Sequence, residues 1–219
     1  MSIKSQLKDG SHPPPNSYEE SSILEASLMS IYQVRNLNRY FKVLEHDPFQ
    51  RAIDAGDDAL LDRIFNEPVR AQGLADVWVE ESVEFTAHYK TSVKIPDISV
   101  WGAGLVLTPR AVEVLKPYIE SDGEFLPIVI DGEKFQVFNV MSFGEEDKEH
   151  TKHEYIDKHP VGLESLKFVE SSVVDKYVFK SLMEGCELLY CDDKLKNLCN
   201  EHDLRGVEFD LDLLDIFGY

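Results

Sequence analysis

The residues best suited to metal chemistry fall in one charged segment, residues 144–160. Three of its histidines and two of its glutamates are the candidate ligands: His150, His153, His159, Glu149 and Glu154. Imidazole and carboxylate groups are common zinc ligands, but a metal site also needs a scaffold that holds them in a fixed geometry. The segment has no apolar periodicity, which predicts an exposed loop. We therefore expect no metal and no other cofactor.

A cysteine nucleophile is the second chemical candidate. Cys191 precedes a predicted helix, whose N-terminal dipole would lower the pKa of its thiol. The carboxylates of Asp192 and Asp193 would raise that pKa, and no base can be assigned to the thiol from the sequence. The three cysteines of the chain form no Cys-x-x-Cys pair, which is typical of reduced thiols in a cytoplasmic protein. The pattern favours a core thiol over a catalytic one.

Motifs of the common enzyme classes are missing from the sequence. It has no Gly-x-Ser-x-Gly, no phosphate-binding loop and no His-Glu-x-x-His. The stretch Gly102-Ala103-Gly104 lacks the third glycine of a dinucleotide-binding loop, and it precedes a strand instead of following one. It predicts a bend before a buried strand. We therefore predict that the protein is not an enzyme.

Net charge is the most unusual property of the whole chain. Its 219 residues include 41 acidic and 22 basic side chains, which give a net charge of −19. Such a field repels nucleic acids and anionic membranes, and it favours a basic protein partner. No apolar run approaches the roughly 18 residues of a membrane span. The N-terminus lacks the apolar region of a signal peptide, so we expect a cytoplasmic location.

Acidic side chains are accordingly the predicted partner-binding residues. Four lie in the charged segment and three lie near the C-terminus: Glu145, Glu146, Asp147, Glu149, Asp210, Asp212 and Asp215.

The elements that must position these residues are clearest in the middle of the chain. Leu105 to Leu107 is an apolar strand, and Thr108 and Pro109 then form the N-cap and first position of a helix. Gly123 is placed to end this helix in the left-handed conformation. A second apolar strand follows the glycine and is joined to a third by Asp131-Gly132, which suits a type I′ turn.

The same plan recurs towards the C-terminus. An apolar strand over residues 186–190 precedes Asp192, which predicts a helix N-cap, and the helix is expected to end at Gly206 before a last strand over 207–209. His202 is expected on the apolar face of this helix, in a structural role. The sequence therefore predicts an α+β fold with mixed or antiparallel sheets and two related strand–helix–strand units.

The expected organisation has three parts. Residues 1–22 are a flexible Pro-rich tail, residues 23–95 an N-terminal α+β region, and residues 96–219 a core that includes the charged loop 144–160. The last two parts can equally form one continuous domain. Within the N-terminal region, Asp47 predicts a helix N-cap and Pro68 predicts the end of a second helix.

A diffuse likeness to one family covers roughly residues 78–209. The likeness rests on packing and turn residues in six stretches of the sequence. These are Pro96-Asp97-Ile98, residues 104–111, residues 124–127, Phe138-Asn139-Val140, Tyr177-Val178-Phe179 and residues 204–209. The chain resembles the Imm11-type immunity proteins of polymorphic toxin systems, the DUF1629 family. The resemblance implies a cytoplasmic protein that neutralises a cognate secreted bacterial toxin by stoichiometric binding. The toxin domain would be the partner, and the acidic surface suits a basic one.

Two alternatives remain open at this point. The protein could be a structural or scaffold component of a secretion or phage system, which would self-assemble. It could also be an enzyme with an unrecognised site that uses Cys191, His202 or the histidines of the charged segment. The sequence leaves the oligomeric state open.

Overall fold

The computed structural model describes residues 29–215, which form twelve strands and five helices. The strands are β1 (Ile31–Asn36), β2 (Val43–Glu45), β3 (Ser82–Thr86), β4 (Ile98–Trp101), β5 (Gly104–Leu107), β6 (Gly123–Ile130), β7 (Glu133–Val140), β8 (Lys152–Ile156), β9 (His159–Ser165), β10 (Val178–Phe179), β11 (Leu189–Asp192) and β12 (Val207–Asp210). The helices are α1 (Gln50–Ala55), α2 (Asp58–Arg70), α3 (Pro109–Ile119), α4 (Glu170–Val173) and α5 (Asp193–Glu201). The predicted α+β class is confirmed. The predicted tail, residues 1–22, lies outside the described residues.

The larger sheet contains the first strand–helix–strand unit. Its order is β2-β3-β6-β7-β5-β4, and β5 and β6 both pair with β7 in antiparallel fashion. Helix α3 connects these two parallel strands and begins as predicted, because the Thr108 hydroxyl accepts a hydrogen bond from the Ala111 N–H at 3.1 Å. The turn between β6 and β7 has φ of 52° at Asp131 and 83° at Gly132, as a type I′ turn requires.

The second sheet repeats this arrangement. Its order is β10-β11-β1-β12, and β11 and β12 are both antiparallel to the β1 strand between them. Helix α5 connects β11 to β12, and Asp192 caps it by accepting a hydrogen bond from the Lys194 N–H at 2.9 Å. Each unit is therefore a pair of parallel strands, a connecting helix and an inserted antiparallel strand.

The two units bury their helices in one shared hydrophobic core. Ala111, Leu115 and Ile119 of α3 are fully buried there, together with Leu195 and Cys199 of α5. The opposite face of the larger sheet packs against a second cluster that includes Leu74 and Trp78. A third, smaller cluster lies on the other side of the four-stranded sheet: Phe168, Val173, Phe179 and Tyr190.

Side chains also connect the two sheets. The Asn36 amide on β1 donates to the Val100 carbonyl at 2.7 Å and accepts from the Val100 N–H at 2.6 Å on β4. The carboxylate of Asp97 accepts from the Arg205 N–H at 3.1 Å just before β12. Because β1 and β3 pair with strands from after residue 96, the segment before residue 96 contributes to both sheets.

Both predicted helix-ending glycines have another role. Helix α3 ends at Ile119, and Gly123 is already the first residue of β6, without the left-handed φ that was expected. A Cβ there would lie 2.0 Å from the Asn139 carbonyl oxygen, so glycine allows the close approach of β7. Helix α5 ends at Glu201, and Gly206 has φ of 132° where a Cβ would lie 2.2 Å from the Ile98 carbonyl oxygen.

Three other local predictions were wrong. Helix α2 continues past Pro68 to Arg70, because a proline in the last turn removes a single helical hydrogen bond. Asp47 precedes α1 but does not cap it; its carboxylate accepts from the Phe49 N–H, and Phe49 holds the N-cap position. His202 lies directly after α5, which ends at Glu201, and its side chain is exposed.

The charged segment 144–160 is not a loop throughout. Strands β8 and β9 form an antiparallel hairpin that begins inside it, with Ile156 opposite His159. The two residues between them, Asp157 and Lys158, both have positive φ, at 49° and 70°. A two-residue turn with positive φ at both positions matches the twist of a hairpin, and neither residue is the glycine that would have signalled it.

Candidate protein-binding surface

The first predicted acidic group divides into exposed and structural residues. The side chains of Glu145 and Glu149 are exposed. Glu146 is half-buried, and its carboxylate accepts hydrogen bonds from the Ser181 hydroxyl at 2.6 Å and the Met183 N–H at 3.0 Å. Of these three side chains, Glu145 and Glu149 are therefore free to meet a partner while Glu146 holds the turn at residues 181–184.

Asp147 organises its own turn. Its carboxylate accepts from the Glu149 N–H at 3.0 Å and lies 2.7 Å from the His150 ring nitrogen Nδ1. Burial acts to raise the pKa of Asp147, but the hydrogen bonds from His150 and from the Glu149 backbone outweigh it and leave the pKa below its ordinary value. The side chain is therefore anionic at neutral pH.

The C-terminal acids surround one arginine. The guanidinium of Arg35 on β1 lies 2.9 Å from Glu208, 3.0 Å from Asp210 and 2.7 Å from Asp215. Burial acts to lower the pKa of Arg35, yet the hydrogen bonds that its guanidinium donates to Asp215 and Glu208 leave that pKa raised. Asp212 is exposed and accepts from the Leu214 N–H at 3.1 Å. Arg35 thus compensates part of the negative charge of this group.

Both acidic groups border the third hydrophobic cluster. The backbone of Glu146 bridges to Phe168 of that cluster. Leu213 packs against the cluster from the C-terminal side, and its carbonyl accepts a hydrogen bond from the Tyr190 hydroxyl at 3.2 Å. The structure therefore brings two segments that are about 60 residues apart in sequence to the same part of the molecule.

The β8–β9 hairpin is the most exposed element beside these acids. Every residue of β8 is exposed, and so are five of the seven residues of β9. Large apolar side chains are among them: Tyr155 is 59% exposed, Ile156 59% and Val161 52%. The two strands form a sheet of their own, separate from the other two. Sequence reasoning missed this apolar surface because charged residues flank it on both sides.

The cysteine considered as a nucleophile lies inside the protein. Cys191 is fully buried, and burial, with Asp192 beside it, raises the pKa of its thiol well above the usual range. Within residues 29–215, no group of three His, Cys, Asp or Glu side chains is placed to hold a metal ion. None of the helices in that same range is long and apolar enough to cross a membrane.

No protein-family model matches the chain, and no curated protein matches it. The likeness to immunity proteins stays a prediction from the quoted residues.

Proposed function

We propose that this protein is an immunity protein that binds a basic toxin domain and blocks it stoichiometrically in the cytoplasm, without catalysing a reaction. The observation that carries the proposal is the exposed apolar surface of the β8–β9 hairpin, which follows directly on the acidic residues 145–149. The resemblance to the Imm11-type family supports the same role.

The surface has the composition of a protein interface. Aromatic and aliphatic side chains such as Tyr155 and Ile156 supply buried area when a partner covers them. Glu145 and Glu149 next to them are exposed and would form the charged rim of the contact. Rim charges mainly govern association rate and selectivity, which matters for a protein that must capture a toxin quickly.

The charge of the whole chain supports a basic partner. At −19, it accelerates the encounter with a positively charged domain and disfavours nucleic acid as a competing ligand. Because this steering is screened by salt, the association rate should fall as salt rises from about 0.05 to 0.5 M.

Co-purification tests the proposal directly. The protein is coexpressed with the product of the neighbouring gene, and the complex is isolated. The stoichiometry is measured by calorimetric titration of one separately purified partner with the other. We expect a 1:1 complex in which toxin activity is lost. An adjacent toxin domain that remains fully active in the presence of excess protein would contradict the proposal.

A further inference from the structure

A cavity lies between the α1–α2 segment and the larger sheet. Its volume is about 290 Å³, near the lower end of the range for small-ligand sites. The α2 helix, the β4–β5 turn and strands β6 and β7 line it. Most of its wall is apolar, with Phe49, Trp78 and Trp101 among the aromatic residues.

One carboxylate in this wall has an oxygen atom without a hydrogen-bond partner. Glu67 of α2 is only 3% exposed and lines the cavity, and its Oε1 atom accepts no hydrogen bond. Burial raises the pKa of Glu67 because an ionised carboxylate is costly in an apolar wall, and this effect outweighs the attraction of Lys180 and a hydrogen bond with the Asn139 side chain. An unsatisfied buried acceptor normally has a partner in the functional state, such as an ordered water or a ligand.

The charged groups near Glu67 do not provide a hydrogen bond to its Oε1 atom. The nearby Glu124 accepts hydrogen bonds from the Leu74 N–H, from the Ala75 N–H at 3.2 Å and from the Asn139 amide at 3.0 Å. Lys180 attracts the Glu67 carboxylate electrostatically, but its fully buried ammonium forms no ion pair with Glu67 and lies 5.2 Å from the Phe143 ring centroid.

Aromatic rings that line the cavity are held in place by contacts with their neighbours. The His46 ring stacks on Trp101 at 5.2 Å and meets Trp78 edge-on at 5.9 Å. The Trp101 indole N–H donates to the His46 carbonyl at 3.3 Å, and the Trp78 indole N–H donates to the Pro127 carbonyl at 2.9 Å. Burial lowers the pKa of His46, so its imidazole is neutral at neutral pH and does not repel a cation.

We propose that this cavity binds a guanidinium group, with Glu67 as its hydrogen-bond acceptor and the indole rings of Trp78 and Trp101 as its apolar wall. A cation is favoured because aromatic faces and a carboxylate with one unpaired oxygen both attract positive charge. A guanidinium is favoured over a quaternary ammonium because Oε1 requires an N–H donor. It is favoured over a lysine ammonium because it is planar and less strongly hydrated, so it enters an apolar cavity at lower cost.

Two sources could supply this group: a free guanidinium metabolite, or an arginine side chain of a protein partner. Titration of the ¹⁵N-labelled protein distinguishes them, with free L-arginine as one probe and N-acetyl-arginine methylamide as the other. The second probe presents the side chain as a peptide would. Since both are small molecules, the result does not depend on the toxin-binding proposal.

The indole N–H signals of Trp78 and Trp101 provide the readout. We expect at least one arginine probe to shift them with a dissociation constant of about 1 mM or tighter. N-acetyl-citrulline methylamide, which is nearly isosteric but uncharged, should leave them in place. The Glu67→Gln variant should weaken binding by about tenfold to a hundredfold, whereas Glu133→Gln, the same change at an exposed site on β7, should not.

Three results would overturn the proposal. They are the absence of indole shifts with both arginine probes, equal shifts with the citrulline probe, and unchanged affinity in Glu67→Gln. If Glu67→Gln does not fold, the comparison of arginine with citrulline on the unsubstituted protein decides the question alone.

Discussion

The carboxylate of Asp122 lies 2.7 Å from the backbone nitrogen of Tyr177 and accepts its hydrogen bond. The same carboxylate also accepts from the Val178 N–H at 3.2 Å and from the Ser142 hydroxyl at 3.0 Å. A residue that follows α3 in the first unit thus holds the chain that enters β10 in the second sheet. The connection is buried, since Asp122 is 3% exposed.

Replacing Asp122 should therefore weaken the connection between the two sheets. In Asp122→Ala, two backbone N–H groups lose their acceptor, and we expect the free energy of unfolding to fall by at least about 1–3 kcal/mol. Urea denaturation measures the change. Asp175→Ala, an exposed site close to the same strand, is the control and should differ little from the original protein. Equal stability of the two variants would show that the Asp122 contacts contribute nothing.

The β8–β9 hairpin should be dispensable for folding. We expect a chain in which residues 154–162 are replaced by Asn-Gly to keep its thermal midpoint, because the removed residues are exposed and His153 and Leu163 already face each other. The same chain should lose most of its affinity for the toxin partner, measured by calorimetry. Retained affinity would place the binding surface elsewhere.

Point variants refine this prediction. Tyr155→Ser and Ile156→Ser should each reduce partner affinity with little effect on the thermal midpoint, because both side chains are exposed. Tyr118→Ser is the matched control, an exposed tyrosine on α3 that is far from the hairpin in sequence.

Arg35 should stabilise the end of the described chain by compensating three carboxylates. In Arg35→Met, Glu208, Asp210 and Asp215 would face one another without their cation, and we expect a loss of about 1–3 kcal/mol in unfolding free energy. Added salt at about 0.5 M should restore part of it by screening the repulsion. An unfolding free energy of Arg35→Met that does not change with added salt would contradict this explanation.

The buried thiols should make the protein less stable in alkaline solution. Burial raises the pKa of Cys186 to about 11 and that of Cys199 to about 12, and it raises the pKa of Cys191 as well. In the unfolded chain these thiols ionise near pH 8.5. The unfolded state therefore binds fewer protons than the folded state above that pH. The stability that the neutral buried thiols contribute is complete below pH 8.5 and is lost as pH rises towards 11–12.

Urea denaturation across this pH range provides the test. In a variant with all three cysteines changed to Ala, the free energy of unfolding should fall less steeply with pH above about pH 8.5 than in the original protein. Identical slopes would show that the thiols are not the cause. Thiol-specific reagents should also react slowly with the native protein and rapidly after unfolding, since all three thiols are buried.

Local signals in the sequence predicted much of the architecture. Thr108, Asp192 and the Asp131-Gly132 turn act through neighbours a few residues away, so their roles can be inferred without the fold. The roles of Gly123 and Gly206 could not, because each accommodates a backbone carbonyl from a distant strand. Their position after a helix suggested a cap when the actual constraint was a tertiary contact.

Neither the cavity nor the exposed hairpin could be predicted from neighbouring residues in the sequence. Glu67 and Trp101 are 34 positions apart, and nothing in either neighbourhood indicates that they line one space. The hairpin turn uses Asp157 and Lys158 at positive φ, a conformation that neither residue type signals strongly. The acidic residues of the candidate surface were predicted as a group, but their division between exposed and structural side chains depends on contacts such as Glu146 with Ser181.

The position of β1 in its sheet has a consequence for synthesis. Within the described chain, this strand pairs with β11 and β12, so its partners are translated more than 150 residues later. The four-stranded sheet therefore cannot close on the ribosome until nearly all of the described chain has emerged. A translation product interrupted before Val207 would leave one edge of β1 unpaired, and we expect cellular proteases to remove it before it can act.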